Sequence, residues 1–281
     1  MRETVLRFRT QTIPGKGRGK RLGFPTLNLR IPPDLDLAHG IYACWVRVGE
    51  ATYPGALHHG PVPAFGEDVP SLEVHVVDAT LTARPPEVEV EVVRFLRPVR
   101  SFESPEALAA QMAEDVERAR QVLAEDAGIR RVAVWLAQHG IEPEILRFPE
   151  GTRTAQEAAR ALGTTPERIV KSLLFLADGR PVIALVSGAH RVSAQRLAEA
   201  TGARSVRAAD RKTVQEVTGY PAGAVPPVGL GADVPLYMDD ALLRHDVVYA
   251  GAGAPDALMA IAPHRLRDLT GARVVRLREE D

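Results

Sequence analysis

A chain of 281 residues is longer than one ordinary hydrophobic core supports and favours two domains. Its 45% hydrophobic and 25% charged residues, with a formal net charge of −1, exclude a polycation, and the single cysteine, Cys44, excludes an internal disulfide framework or a cysteine-based zinc cluster. No apolar run approaches the ~20 residues that span a bilayer, and the opening MRETVLRFRT lacks the apolar centre of a secretion signal, so the cytoplasm is the expected compartment.

Residues 1–100 contain period-two segments, GIYACWVRV (40–48), SLEVHVVD (71–78) and EVEVEVVRFL (87–96), separated by Pro- and Gly-rich turns. This pattern predicts a small antiparallel barrel. Ser104 as N-cap and Pro105 at the first helical position open a helix whose Leu108, Met112, Val116, Ala119 and Leu123 form one apolar stripe. That stripe predicts a helix packed on the barrel's own core. AEDAGI (124–129) marks the boundary, dividing the chain into domains 1–125 and 126–281.

The second half is mixed α/β. A helix is predicted from Arg130 to His139, ending at Gly140; a T-x-x-E capping box at Thr154–Glu157 opens another that stops at Gly163. A short helix follows at Thr165–Pro166, then a hairpin of SLLFL (172–176) and PVIALVS (181–187) turning at Asp178–Gly179. A helix over Ser193–Ala200, a strand near Ser205–Ala208 and a helix from Asp210 lead into TGYPAGAVPPVG (218–229). Three prolines and three glycines make that loop stiff and, at its glycines, open to close approach; a surface crossover with ordinary turn chemistry is the plain alternative.

Two places carry chemistry. Residues 1–30 hold eight Lys or Arg against one acid, a local anion site or simply a solvated basic face. Within GKGRGKRLGFPTLN (15–28), Gly17, Arg18, Gly19 and Lys20 suit phosphate oxygens, and the Thr26 hydroxyl suits a Mg²⁺ that bridges them; the Walker A spacing is absent. Glu73 and His75 share one strand face, so Glu73 is a candidate base for an attacking hydroxyl, or both are ordinary outward-facing polar residues.

GRGKRLGFPTLNL, HGIYACWV, LEVHVVD and RFLRPVRSFESPEALAAQMAEDVERAR, in that order, resemble the bacterial riboflavin kinase domain over roughly residues 8–123. The resemblance implies a six-stranded antiparallel barrel with a C-terminal helix. It further implies ATP with Mg²⁺ as cofactor, riboflavin as substrate and FMN as product, Thr26 and Asn28 at the metal and phosphates, and Glu73 as general base. LHHGPVPAFG, with His58 and Ala64, and ATLTARPP after the LEVH strand depart from the family pattern around the pocket. They leave two readings open, a kinase or a barrel that only binds its ligand.

Only four residues are lysine against thirty-one arginines, which singles out Lys171 in ERIVKSLLFL; an ammonium in that apolar context either reaches water or serves a site. TAQEAARALG, PERIVKSL, TGYPAGAVPPVG, PLYMDDALL and VVYAGAG together resemble the free-standing aminoacyl-tRNA deacylases, related to the editing domain of bacterial prolyl-tRNA synthetases (the YbaK type), over about residues 130–278. The resemblance implies hydrolysis of mischarged aminoacyl-tRNA without a metal or other cofactor. Lys171 and Gly223 are the catalytic residues it implies, and Pro227, Thr218, Gly219 and Gly229 are expected to bind substrate. The partners it implies are the aminoacyl-tRNA acceptor end and prolyl-tRNA synthetase, with neither membrane nor DNA expected among them. His190, His245 and His264 read as surface or capping residues, and Asp239 and Asp240 receive no role. A different class of protein also fits: a non-catalytic flavin or nucleotide sensor whose second domain holds tRNA or a synthetase.

Overall fold

Alternating side-chain direction decides the first half of the molecule, seen in a computed structural model that describes residues 6–15, 17–62, 67–81, 83–148, 154–231 and 233–279. The chain divides into two compact units, Met1–Asp126 and Ala127–Asp281. In the first, β1 (Arg7–Ile13), β2 (Thr26–Leu29), β3 (Gly40–Val48), β4 (Ala51–Val62), β5 (Glu67–Val76) and β6 (Glu87–Arg97) close a six-stranded antiparallel barrel in the order β1-β2-β5-β4-β3-β6. A short helix, α1 (Arg18–Arg21), lies between β1 and β2. Leu29, Tyr42, Cys44, Val46, Leu57, Leu72, Val74, Val88 and Val90 fill the interior. Burial pushes the Cys44 thiol pKa upward, which makes that thiol an inert packing group.

The intervening residues of β3 explain why that strand is buried on both faces. Ala43 and Trp45 point out of the barrel and meet Ala119, Val122 and Leu123 of α2 (Pro105–Gln138). The C-terminal helix therefore packs on the barrel's outer wall and not into its core, because the barrel interior is already filled by its own strands. Ser104 Oγ accepts from Ala107 N at 3.1 Å, the expected N-cap. The two helices expected on either side of residues 124–129 are one: helical backbone runs through AEDAGI to Gln138, and Gly140 follows it with φ 70°. Gly128 adds no break because it packs against Gly253, where no Cβ would fit.

The second unit continues with β7 (Ile145–Arg147), α3 (Ala155–Leu162), β8 (Ile169–Ala177), β9 (Arg180–Ser187), α4 (Ala194–Thr201), β10 (Val206–Ala208) and α5 (Arg211–Thr218). After the loop come β11 (Leu236–Asp239), β12 (Val248–Gly251), β13 (Ala257–Ile261), α6 (Pro263–Thr270) and β14 (Arg273–Val275). The strands form one mixed sheet in the order β14-β11-β9-β8-β12-β13-β7, with β10 on β8. Thr154 and Glu157 make the expected reciprocal capping box of α3, both bonds 3.1 Å. Asp178 and Gly179, both at positive φ, turn the β8–β9 hairpin as expected. The helix expected at Thr165–Pro166 is a single 3₁₀ turn, Pro166–Arg168, after which β8 begins at Ile169. Lys171 consequently lies inside a strand.

Candidate functional site

In the first unit, β2 and β5 pair with Thr26 opposite His75 and Asn28 opposite Glu73, while β4 sets His58 opposite Glu73 from the other side. Thr26 Oγ1 donates to Glu73 Oε2 at 2.9 Å. These groups open into a cavity of about 140 Å³ whose walls include Arg18, Gly19, Ile41, His58, Glu73, His75, Arg97, Phe102 and Met112. Glu73 and His75 thus share one face, as the alternation predicts; the His75 ring nitrogen Nδ1 lies 2.8 Å from Pro25 O. Leu108, Met112 and Val116 of α2 supply apolar wall.

The phosphate-loop candidates divide. Arg18, Gly19 and Thr26 line the cavity, whereas Gly17, Lys20 and Asn28 are not part of its wall. Asn28 packs its amide against Gly15, where no Cβ would fit, and Gly19 sits as tightly against Phe24 O and Thr26. Part of the basic cluster is neutralised within the barrel. Arg7 pairs with Glu91 at 2.9 Å, and Arg9 lies 3.6 Å from Glu87 and 3.7 Å from Glu89. Lys16 and Ala64 lie outside the described residues. Burial holds the His58 pKa below its ordinary 6.5 against the opposing pull of Glu73. Arg97 holds Asp115 by a two-pronged bond, Nε to Oδ1 at 2.8 Å and Nη2 to Oδ2 at 2.6 Å. Gln111 donates to the same carboxylate at 3.0 Å.

In the second unit, Lys171 Nζ donates to two main-chain carbonyls, His190 O at 2.5 Å and Gly188 O at 3.3 Å. Burial lowers its pKa below the ordinary 10.5, and the Arg191 charge pushes the same way. β8 and β12 run parallel with Ala250 beside Val170, the residue before Lys171. A Cβ on Gly251 would lie 3.0 Å from Val225 O, so the proline–glycine loop rests on the strand adjacent to Lys171. The lysine therefore lies on the strand beside the one that meets the loop.

The loop has a defined interior. Ala224 N donates to Pro221 O at 3.0 Å, and Gly223, with φ 92°, is the third residue of that turn. This is the type II position, which only glycine fills without strain. Nothing lies within 4 Å of where its Cβ would be, so its backbone faces open space. Val225 to Gly229 are buried, Pro227 among them. Thr218 is fully buried, donates to Val214 O at 2.7 Å and accepts from Tyr220 N at 3.1 Å. Gly219 caps α5, and Gly229 O accepts from Tyr220 Oη at 2.8 Å. Gly223 alone of the five loop positions singled out in the sequence is exposed with its main chain uncovered; the other four hold the loop's shape.

Sequence reasoning missed two features. His190 lies beside Lys171 through its carbonyl, and its Nδ1 is buried with no partner among the described residues. Nineteen residues and a hairpin separate the two, so no local spacing could signal the pair. Asp239 is fully buried and accepts from Ala241 N (3.0 Å), Leu277 N (2.7 Å), Arg278 N (3.0 Å) and Arg278 Nη1 (2.8 Å). It ties residues 277–278 to β11, and Asp240 joins through Arg278.

Residues 149–269 match the family model described as the aminoacyl-tRNA editing domain, and residues 3–123 match that of riboflavin kinase. A proline–tRNA ligase of Desulforamulus reducens is 35% identical over 140 residues, 47% of this chain and 24% of the ligase. The protein YwhH of Bacillus subtilis is 27% identical over 146 residues, 52% of this chain and 93% of its own. A solved structure of a candidate trans-editing enzyme for prolyl tRNA synthetase is 38% identical with a TM-score of 0.52, covering 54% of this chain and 98% of its own. The chain spans about a quarter or less of the proline–tRNA ligases it matches. Among the described residues no helix is long and apolar enough to cross a membrane.

Proposed function

The chain belongs to the aminoacyl-tRNA editing domain family through its second unit, and from that premise we propose that this unit hydrolyses mischarged aminoacyl-tRNA in trans, alongside prolyl-tRNA synthetase. One observation supports the reading: an ammonium hydrogen-bonded to main-chain carbonyls lies on the strand beside the one that meets a loop whose Gly223 turn has uncovered backbone. Because those bonds go to neutral carbonyls, the Lys171 ammonium is available to the terminal nucleotide or to the oxyanion of the reacting ester. The uncovered turn at Gly223 lets the ester approach main-chain groups that are already fixed in place. Water adds to the ester carbonyl, the bond to the ribose oxygen breaks, and the water's proton passes to that oxygen. The products are free amino acid and intact tRNA. The adjacent ribose hydroxyl helps position water or leaving group, a handle DNA lacks. Thr218, Gly219, Pro227 and Gly229 act by shaping the loop that receives the substrate.

The barrel, in the same proposal, takes riboflavin and ATP. Oxygen donors suit a hard cation, and the Thr26 hydroxyl beside the Glu73 carboxylate is such a pair at the cavity wall. Thr26 at the wall would help hold Mg²⁺, which would neutralise the transferring phosphate, with Asn28, two apart on β2, reaching it only if its amide leaves Gly15; Arg18 would add countercharge and the Gly19 main chain would let phosphate approach, with Gly17 and Lys20 beside them in the loop. Glu73 would take the proton of the attacking hydroxyl. A barrel that only binds these ligands would show saturable binding without FMN formation.

A panel of mischarged tRNAs tests the first activity. The expected result is release of one or a few small amino acids. Lys171→Ala is expected to lower turnover by ~10²–10³ with an unchanged melting temperature; a variant that deacylates at the wild-type rate removes Lys171 from the chemistry. Conversion of riboflavin to FMN with Mg-ATP tests the second activity.

A further inference from the structure

We infer that Tyr220 and Arg131 are positioning residues for the Gly223 turn, an inference that rests on the deacylase reading of that loop. The loop is pinched at its base in two places. Gly231 N donates to Thr218 O at 3.0 Å, and Tyr220 Oη donates to Gly229 O at 2.8 Å. This second clasp closes the base of the segment between Tyr220 and Gly229, the turn included. A tyrosine with 1% of its surface exposed has no water to replace that partner.

Arg131, on the last turns of α2, holds the clasp from its other side. Its guanidinium carbon lies 4.5 Å from the centre of the Tyr220 ring, and Nη1 donates to Gly219 O at 3.5 Å. A Cβ on Gly219 would come within 2.8 Å of that nitrogen, so the arginine occupies space that only glycine leaves free. Trp135 continues the support, its Cβ 3.5 Å from where a Cβ on Gly229 would stand. Burial raises the Tyr220 pKa while the Arg131 charge opposes the rise, and the hydroxyl remains a protonated donor at neutral pH. Arg131 and Trp135 precede the residues matched by the editing-domain model, which begin at 149. The turn that receives substrate is thus braced by a helix outside the matched segment.

A brace of this kind acts on the reacting geometry more than on affinity, because the turn's main chain is required at the transition state. Tyr220→Phe keeps the ring under Arg131 and deletes only the clasp. On the tRNA that the wild type deacylates fastest, it is expected to lower kcat about tenfold with KM unchanged and the melting temperature lowered by a few degrees but the chain still folded. Arg131→Met is expected to lower kcat by a smaller factor, Arg131→Lys to restore part of it, and the double variant to lose less than the product of the singles. Wild-type kcat in Tyr220→Phe, or a loss confined to KM, overturns the inference. Should Tyr220→Phe not fold, Arg131→Met against Arg131→Lys decides by the same split in kcat. A wild type inactive on every mischarged tRNA removes the deacylase reading and this inference with it. An active wild type silenced by Lys171→Ala but indifferent to Tyr220→Phe removes the brace alone.

Discussion

The two units hold charge in opposite ways. In the barrel, polar groups at the cavity are matched to one another: Thr26 with Glu73, Arg97 with Asp115, and His58 facing Glu73 across the strand pair. In the second unit Lys171 donates to two main-chain carbonyls, with the Arg191 charge nearby. A paired site is stable without ligand and must exchange partners when ligand binds. A site built from an ammonium and bare backbone leaves its charge available and relies on rigidity instead. The difference teaches where sensitivity lies: in carboxylates for the barrel, in loop geometry for the second unit.

The comparison breaks most visibly if substitutions cross over. Glu73→Gln is expected to lower FMN formation by ~10²–10⁴ and leave tRNA deacylation unchanged, with Lys171→Ala doing the reverse. Both rates measured on each variant settle it, and any shared loss sinks the separation. Gly223→Ala forces a Cβ residue to φ 92° in open space. It is expected to lower deacylation about tenfold, at a stability cost of about 1–3 kcal/mol, read from kinetics beside a denaturant melt.

Asp115→Ala sharpens the other half of the contrast. It leaves the guanidinium of Arg97, 17% exposed, without its partner. A loss of roughly 2–3 kcal/mol is expected in the unfolding of the barrel, with deacylation untouched. The smallest effect concerns His58. Its folded pKa lies below the unfolded 6.5, so the unfolded chain takes up the proton first. Barrel stability is then complete above pH 6.5 and falls as pH drops below it, by no more than about 1.4 kcal/mol per pH unit. A His58→Asn variant whose melting temperature keeps the same dependence between pH 7.5 and 5.5 would assign that slope elsewhere.

Local features were legible from residue order alone. The strands at 40–48 and 87–96, the Ser104 cap, the Thr154–Glu157 box and the Asp178–Gly179 turn each depend on neighbours a few residues apart, and each formed as expected. The helix across 124–129 did not read as one, because an isolated glycine resembles a stop until its contact with Gly253 is known.

Sequence by itself determined the two grammars of the chain, the stiff loop and the oddity of one lysine in an apolar strand, since periodicity, φ preference and composition are properties of short segments. Only the tertiary structure decided that Lys171 rests on the His190 carbonyl and beside the strand carrying the loop, that Asn28 packs against Gly15, and that Arg131 stands under Tyr220. Those contacts join residues tens of positions apart, and sheet register and packing, which no local pattern encodes, set which of them meet.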